Sequence, residues 1–365
     1  MPQRILRIRR LSIVRDLRRK RYITLDGMRG LAAVAVALYH FGLQQTHWFA
    51  SGYLAVDLFF ALSGFVIAVN YEPRLARGLS PGRFLEMRLV RLYPLYFTGL
   101  IVAALLDIIW RIHSHHGPEV VTILIRLLIG SAMLPTPFGS NALFPLNVPS
   151  WSLFFEFISN IFFAYILIKL RSIFILFISI FSIIFIFFLL KSPFYFDMGS
   201  GWSNASGGLL RTMFSFCVGM LFARHFPLNR ITTSWWAMIP VAILALALGH
   251  GHFIHEAAIE LFTVCLLFPL LLGLGLLIEP PPVLAGVFSY FGDISYAVYA
   301  LHVAVLTVMS YMISKLGLSM AEGGTLFIVF VVGAATIAVH AIDAPLRKEI
   351  SRRLALRNSA IPVTL

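Results

Sequence analysis

The chain has 365 residues, 59% of them hydrophobic and only 12% charged, with 33 phenylalanines. A soluble domain carries roughly 25% charged residues and about half apolar ones, so the composition excludes a water-soluble enzyme and makes lipid the solvent for the excess apolar surface. The formal charge of +13 would suit nucleic acid, but in a mostly apolar chain basic residues mark loops on the cytoplasmic side.

In chain order, a basic arm over residues 1–24 comes first, and apolar runs long enough to cross roughly 30 Å of hydrocarbon follow. Ten begin near Gly27, Gly52, Val90, Val148, Ile173, Ser206, Ser234, Glu256, Gly292 and Gly323. The first, Gly27 to Leu43, is long for a signal-peptide core and lacks a following cleavage site, so it is kept as a helix. The piece from Val120 to Leu134 is short for a full span and is read as re-entrant or interfacial. The run from Ile173 to Leu190 is apolar all round apart from a few serines, and predicts a peripheral helix facing lipid. The expected fold is an all-α polytopic bundle of about ten spans, with one transmembrane domain over 25–345 and a basic tail over 346–365. With both termini in the cytoplasm, 23 of the 29 Lys and Arg residues fall in cytoplasmic segments, which satisfies the positive-inside rule. The charge is then topology, and no nucleic-acid partner is expected; the basic arm also suits anionic lipid. Cys217 and Cys265 sit inside apolar runs and support neither a disulfide framework nor a cysteine metal site.

An ionisable side chain inside a bilayer costs about 2.5 to 3.5 kcal/mol even on insertion scales, so each is a functional candidate. Arg29 and His40 lie eleven residues apart, close to three helical turns, on one face and roughly 16 Å apart. Arg29 at a helix end is also a snorkelling anchor. His40, deep in its helix, has an unperturbed pKa near 6.5 that suits a general base. Asp57 in the next, antiparallel helix is expected to accept from His40 and fix its tautomer; a carboxylate bonded to backbone or water is the alternative. Ser152, Glu156, Ser159 and Asn160 form one polar stripe, which must face the bundle interior. Ser295, Tyr299 and His302, and Thr336, His340 and Asp343, form similar stripes that also read as interhelical glue. Arg88 and Arg91, at i and i+3 beside Tyr93, can grip a phosphate and stack on a purine, or anchor the helix at the interface. His113, His115, His116 and His250, His252, His255 cluster without carboxylates or cysteines at metal-ligand spacing and read as solvated loops, so no metal is expected.

Together these segments resemble the integral-membrane acyltransferase family 3, acyl-CoA-dependent enzymes that O-acylate sugars and related acceptors. The resemblance rests on LDGMRG from Leu25 leading to Tyr39-His40, VDLFFALSGFVI from Val56, RLVRLYPLYF from Arg88, PSWSLFFEF from Pro149, SYAVYALH from Ser295 and IDAP from Ile342. Met28, Ala61 and Asp343 depart conservatively from the usual residues. The resemblance implies acetyl-CoA or another acyl-CoA as donor. Its phosphates would be held by some of Arg29, Arg88 and Arg91 beside Tyr93, with His40 as base and Asp57 or Glu156 orienting it. Trp151, Ser152, Tyr299 and His302 would line the site of a saccharide or lipid-linked saccharide acceptor. It also implies a bacterial inner (plasma) membrane. Direct transfer and an acyl-enzyme both remain open, as do a homo-oligomer, a macrolide-type acceptor, and the rival reading as a transporter or flippase for a lipid-linked saccharide.

Overall fold

The computed structural model describes residues 21–42, 49–113, 120–189, 196–227, 232–249 and 257–359, nearly all of them helical. The helices are α1 (Ile23–Gly42), α2 (Ala55–Ala76), α3 (Pro81–His113), α4 (Val120–Ser131), α5 (Ser150–Tyr165), α6 (Ser172–Leu189), α7 (Ala205–His225), α8 (Met238–Gly249), α9 (Ala257–Leu277), α10 (Pro282–Leu316), α11 (Met320–Ala338) and α12 (Ala344–Ser359). A π-helical turn, Val339–Asp343, joins the last two. Among the described residues, six helical stretches are long and apolar enough to cross a membrane, α3 and α10 of 33 and 35 residues among them. Each of the ten apolar runs read from the sequence corresponds to a helix.

Helix directions follow from which residues meet. Asp26 and His40 of α1 face Gly292 and His302 of α10, so these two helices run parallel. The second helix, α2, runs parallel to α5, since Phe60 meets Trp151 and Ser63 meets Glu156. It is also parallel to α7, with Asp57 against Arg211 and Glu72 against Arg224. Two glycines permit the last approach: a Cβ on Gly64 would lie 2.1 Å from the carbonyl oxygen of Phe216, and one on Gly219 2.0 Å from that of Ala61. Small residues at a crossing let backbones touch, the packing that holds helices together where lipid removes the hydrophobic drive.

Because α3 is antiparallel to α2 (Tyr71 meets Phe84 as Ser63 approaches Arg88 through Glu156) and α5 is parallel to α2, α4 and the segment after it start and finish at the same end of the bundle. With 12 residues, α4 reaches only about 18 Å. Its last carbonyls, on Gly130 and Ser131, accept from Tyr96 at 2.5 Å and Tyr93 at 2.9 Å. A helix end inside a bilayer needs such donors.

Two local features differ from the sequence reading. On α6 most large side chains are exposed, as a lipid-facing helix requires, but Ile175, Ser179, Ser182 and Ile186 are buried. These form a stripe at i, i+4, i+7 and i+11 against α7, and Ser179 donates to the Phe214 carbonyl at 3.3 Å. The helix therefore has a protein face, and its serines carry it. The all-α expectation holds apart from a parallel ladder of two residues per strand, Thr232–Thr233 with Ile278–Glu279. This ladder brings Glu279 to the start of α1, where its carboxylate accepts from the amides of Ile23 and Thr24 at 2.9 and 3.2 Å, satisfying exposed N–H groups at the positive end of the helix dipole.

Candidate functional site

Arg29 and His40 both face α10. Arg29 donates to the Ser295 hydroxyl at 3.0 Å and the Gly292 carbonyl at 2.6 Å, and pairs with Asp26 at 3.0 Å. Asp26 is shared with Arg21, which also reaches Asp293 at 2.7 Å. Three turns on, the His40 ring lies beside His302, centroids 4.8 Å apart. Each ring is held by its own helix: the Nδ1 of His40 is 2.9 Å from the Val36 carbonyl oxygen, and that of His302 is 2.7 Å from the Tyr299 carbonyl oxygen. A carbonyl only accepts, so both Nδ1 atoms carry the proton when the rings are neutral, and both Nε2 atoms keep a lone pair. The Nε2 of His302 is buried with no hydrogen-bond partner.

The expected orienting carboxylates lie elsewhere. Asp57 is fully buried and bonded to Arg211, at 2.5 Å from Nη2 to Oδ2 and 3.3 Å from Nε to Oδ1, with Ser215 at 3.4 Å. The same guanidinium donates to the carbonyls of Met198 and Tyr53 and lies over the rings of Trp151 and Phe196, 5.7 Å from each. Glu156 accepts from Arg88 at 2.8 Å and from Ser63 at 2.6 Å. A short connection makes α1 and α2 neighbours, but Asp57 points to α7, and the tautomer of His40 is set by backbone. Both carboxylates answer a buried arginine, whose charge needs them more than a neutral imidazole does.

Between the two levels lies a chain of hydroxyls and rings. Ser152 and Tyr299 share a hydrogen bond of 2.6 Å, and both also approach the Pro149 carbonyl oxygen. The Tyr299 ring is 5.7 Å from that of His302. At the Arg29 level, Arg91 is exposed, within electrostatic range of Arg29, Arg88 and Asp343, and has no ion-pair partner among the described residues. Tyr93 is committed in part: its hydroxyl holds the end of α4, and one face of its half-buried ring stacks on Phe97 at 5.4 Å.

Beyond His40, the segment from Phe196 to Gly201 crosses the end of the bundle. Glu260 accepts from the Phe196 amide at 2.5 Å and from the Tyr53 hydroxyl; Arg211 holds Met198; Asn204 accepts from the amides of Gly199 and Gly201. Gly199, at φ +118° and packed on Trp151, makes the turn. Asp197 remains exposed and accepts from the Tyr39 hydroxyl at 2.7 Å, beside His40. The sequence reading missed Arg211 and Glu260. The signal was present, because each is a charged residue within an apolar helix, which is itself a mark of a site or a strut.

Among the described residues no group of His, Cys, Asp and Glu is arranged to hold a metal ion. His113 packs on Tyr311 at 6.3 Å, while His115, His116, His250, His252 and His255 lie outside the described residues.

Residues 22–342 match the sequence profile of the acyltransferase family 3 domain. The chain is 40% identical over 161 residues to Protein 2 in the picA locus of Rhizobium radiobacter, a match covering 40% of this chain and 82% of that protein. It is 30% identical over 130 residues to the exopolysaccharide production protein ExoZ of Rhizobium meliloti, covering 35% of this chain and 38% of ExoZ. It is also 30% identical over 97 residues to the peptidoglycan O-acetyltransferase OatA of Listeria monocytogenes, covering 26% of this chain and 15% of OatA. No solved structure matches significantly. The chain belongs to acyltransferase family 3: it is a polytopic, helical integral membrane protein of an acyltransferase family.

Proposed function

We propose that this protein moves an acyl group, acetyl in the simplest case, from cytoplasmic acyl-CoA to a hydroxyl of an extracytoplasmic or lipid-linked saccharide, with His40 as general base. The observation that carries the reading is the His40 lone pair, fixed by Val36 beside the His302 ring, with Arg29 bound to Ser295 and Gly292 three turns away on the same seam. Relatives named for exopolysaccharide production and peptidoglycan O-acetylation favour a saccharide acceptor. The charge distribution favours ten spans with both termini in the cytoplasm and flanks 1–24 and 346–365 as basic cytoplasmic segments around the 25–345 domain, and the bacterial relatives favour an inner membrane.

On this orientation Arg91 faces the cytoplasm and takes the donor phosphates first, because Arg29 and Arg88 already hold Asp26 and Glu156. The pantetheine arm carries the thioester past Ser152 and Tyr299 over roughly 16 Å, the rise of eleven helical residues. The acceptor hydroxyl gives its proton to Nε2 of His40, its oxygen attacks the thioester carbon, and the C–S bond breaks. The Ser152 and Tyr299 hydroxyls are the nearby donors for the developing oxyanion, and Trp151 and His302 complete the acceptor chamber. The acyl group crosses while CoA stays in the cytoplasm. Asp57 serves by holding Arg211 and thereby Trp151, and Glu156 by holding Arg88.

The test is thiol release from acetyl-CoA by purified protein in nanodiscs, with direct CoA binding alongside. Wild type should turn over, and His40→Ala should bind CoA with its rate reduced about 10²- to 10⁴-fold. A folded wild type that neither binds nor cleaves any acyl-CoA, as a saccharide flippase would behave, sinks the reading.

A further inference from the structure

The reaction leaves a proton on the wrong side. It is taken from a hydroxyl arriving from beyond Tyr39, and it is needed by an alkyl thiolate departing toward Arg91. One imidazole facing the acceptor serves the first event better than the second, and the structure holds two.

We propose that His302 is a catalytic residue that receives from His40 the proton taken from the acceptor and delivers it to the departing thiolate. This rests on the thioester-donor reading above. Four observations support it. The two rings are side by side at 4.8 Å. Both are held at Nδ1 by a carbonyl of their own helix, 2.9 Å for His40 and 2.7 Å for His302, so the reactive atom of each is Nε2. The Nε2 of His302 is buried and unpaired, a state that a packing histidine avoids, since an unmet buried polar atom is destabilising. Their surroundings also differ in direction. His40 is half-buried and adjoins Tyr39 at 5.2 Å, whose hydroxyl holds Asp197 at the outer rim. His302 is fully buried and adjoins Tyr299, bonded to Ser152, on the path from the donor side.

Charge restricts the pair to one proton. Two imidazolium rings at this separation in a buried site repel strongly, and among the described residues no carboxylate hydrogen-bonds to either ring to offset a second charge. The groups facing them are Tyr39 on α1, Tyr299 on α10, Ser152 on α5, and Asp197, within electrostatic range of His40. The step balances: the acceptor O–H bond breaks as a C–O bond forms, the C–S bond breaks, and the proton passes from His40 to His302 to sulfur, leaving both rings neutral for the next turnover.

The experiment compares two donors whose leaving groups differ in their need for a proton: acetyl-CoA, and the S-acetyl thioester of 5-thio-2-nitrobenzoate, whose thiolate departs unprotonated. His302→Gln should lower the acetyl-CoA rate about 100-fold, the scale of lost general-acid help, and remove one limb of its pH–rate profile. Its loss with the activated thioester should be about tenfold smaller than its loss with acetyl-CoA, and an unchanged unfolding midpoint in detergent shows that the variant is folded; His302→Asn provides a second replacement. His40→Ala should lose both activities. Equal losses on the two donors, or an acetyl-CoA profile unchanged in shape, overturn the proton-delivery role. A wild type inactive toward both thioesters sinks the donor reading itself, a result separate from either of those. If wild type accepts acetyl-CoA alone, the pH profile decides.

Discussion

Two buried arginine–carboxylate pairs, one at the start of α2 through Asp57 and one beside its middle through Ser63, are built for different purposes. In Arg211–Asp57 every guanidinium nitrogen has an acceptor, two aromatic rings cover the cation, and both side chains are fully buried. In Arg88–Glu156 one short bond joins the pair, Glu156 shares that oxygen with Ser63, and the Nε of Arg88 is buried without a partner. A closed network fixes a structure, whereas an open one retains capacity for something else. The contrast separates strut from site more clearly than residue type does, since both pairs contain an Arg and an acid inside apolar helices.

The largest effect should come from opening the closed pair. Asp57→Ala leaves the Arg211 charge buried and uncompensated, at about 3–5 kcal/mol, and should lower the thermal unfolding midpoint in detergent sharply. The double variant Asp57→Leu/Arg211→Met should regain much of that loss, and if it does not, the closed network has a role beyond holding the fold. Glu156→Gln should act in the opposite proportion, with about 1–2 kcal/mol of stability lost but a clear fall in KM for acetyl-CoA, because it frees Arg88 as a second cation for the donor phosphates. Equal stability losses for Asp57→Ala and Glu156→Gln would remove the distinction. Smaller again, Arg91→Ala should raise the KM for acetyl-CoA about tenfold, a lost charged hydrogen bond, with kcat unchanged and a weaker dependence on salt. The smallest change is expected from Tyr93→Phe, which loses the bond to Ser131 and about 1 kcal/mol of stability while leaving donor KM alone. A rise in donor KM on Tyr93→Leu, which removes the ring as well, would restore the purine-stacking role.

The sequence made the helices legible because lipid imposes long apolar runs, and it made His40, Arg29 and the Ser152 stripe legible because polar side chains on such runs must share a face. What it left unreadable was partnership. Asp57 was matched with His40 on the grounds that α1 and α2 are consecutive, but contact direction is set by where backbones approach, and Gly64 with Gly219 turns that side of α2 toward α7. Tyr93 was matched with a ligand because the carbonyls at the end of α4 have no signature in a linear sequence. Arg211 was overlooked although the rule that singled out His40 applies equally to it. The serines of α6 were treated as incidental, when their spacing was the helix's protein face.

The parallel seam between α1 and α10 also has a consequence for how the molecule is made. His40 on α1 leaves the ribosome well before α10, since Ser295 and His302 follow it more than 250 residues later, which at about 5–20 residues per second is roughly 13 to 50 s. Glu279, which caps the start of α1, arrives almost as late. Over that interval the nascent chain therefore holds a histidine without its companion ring, and α1 without its cap. On the proposed mechanism a half-made copy in the bilayer cannot assemble the reactive pair, so it would not consume thioester before there is a finished path for the acyl group to follow.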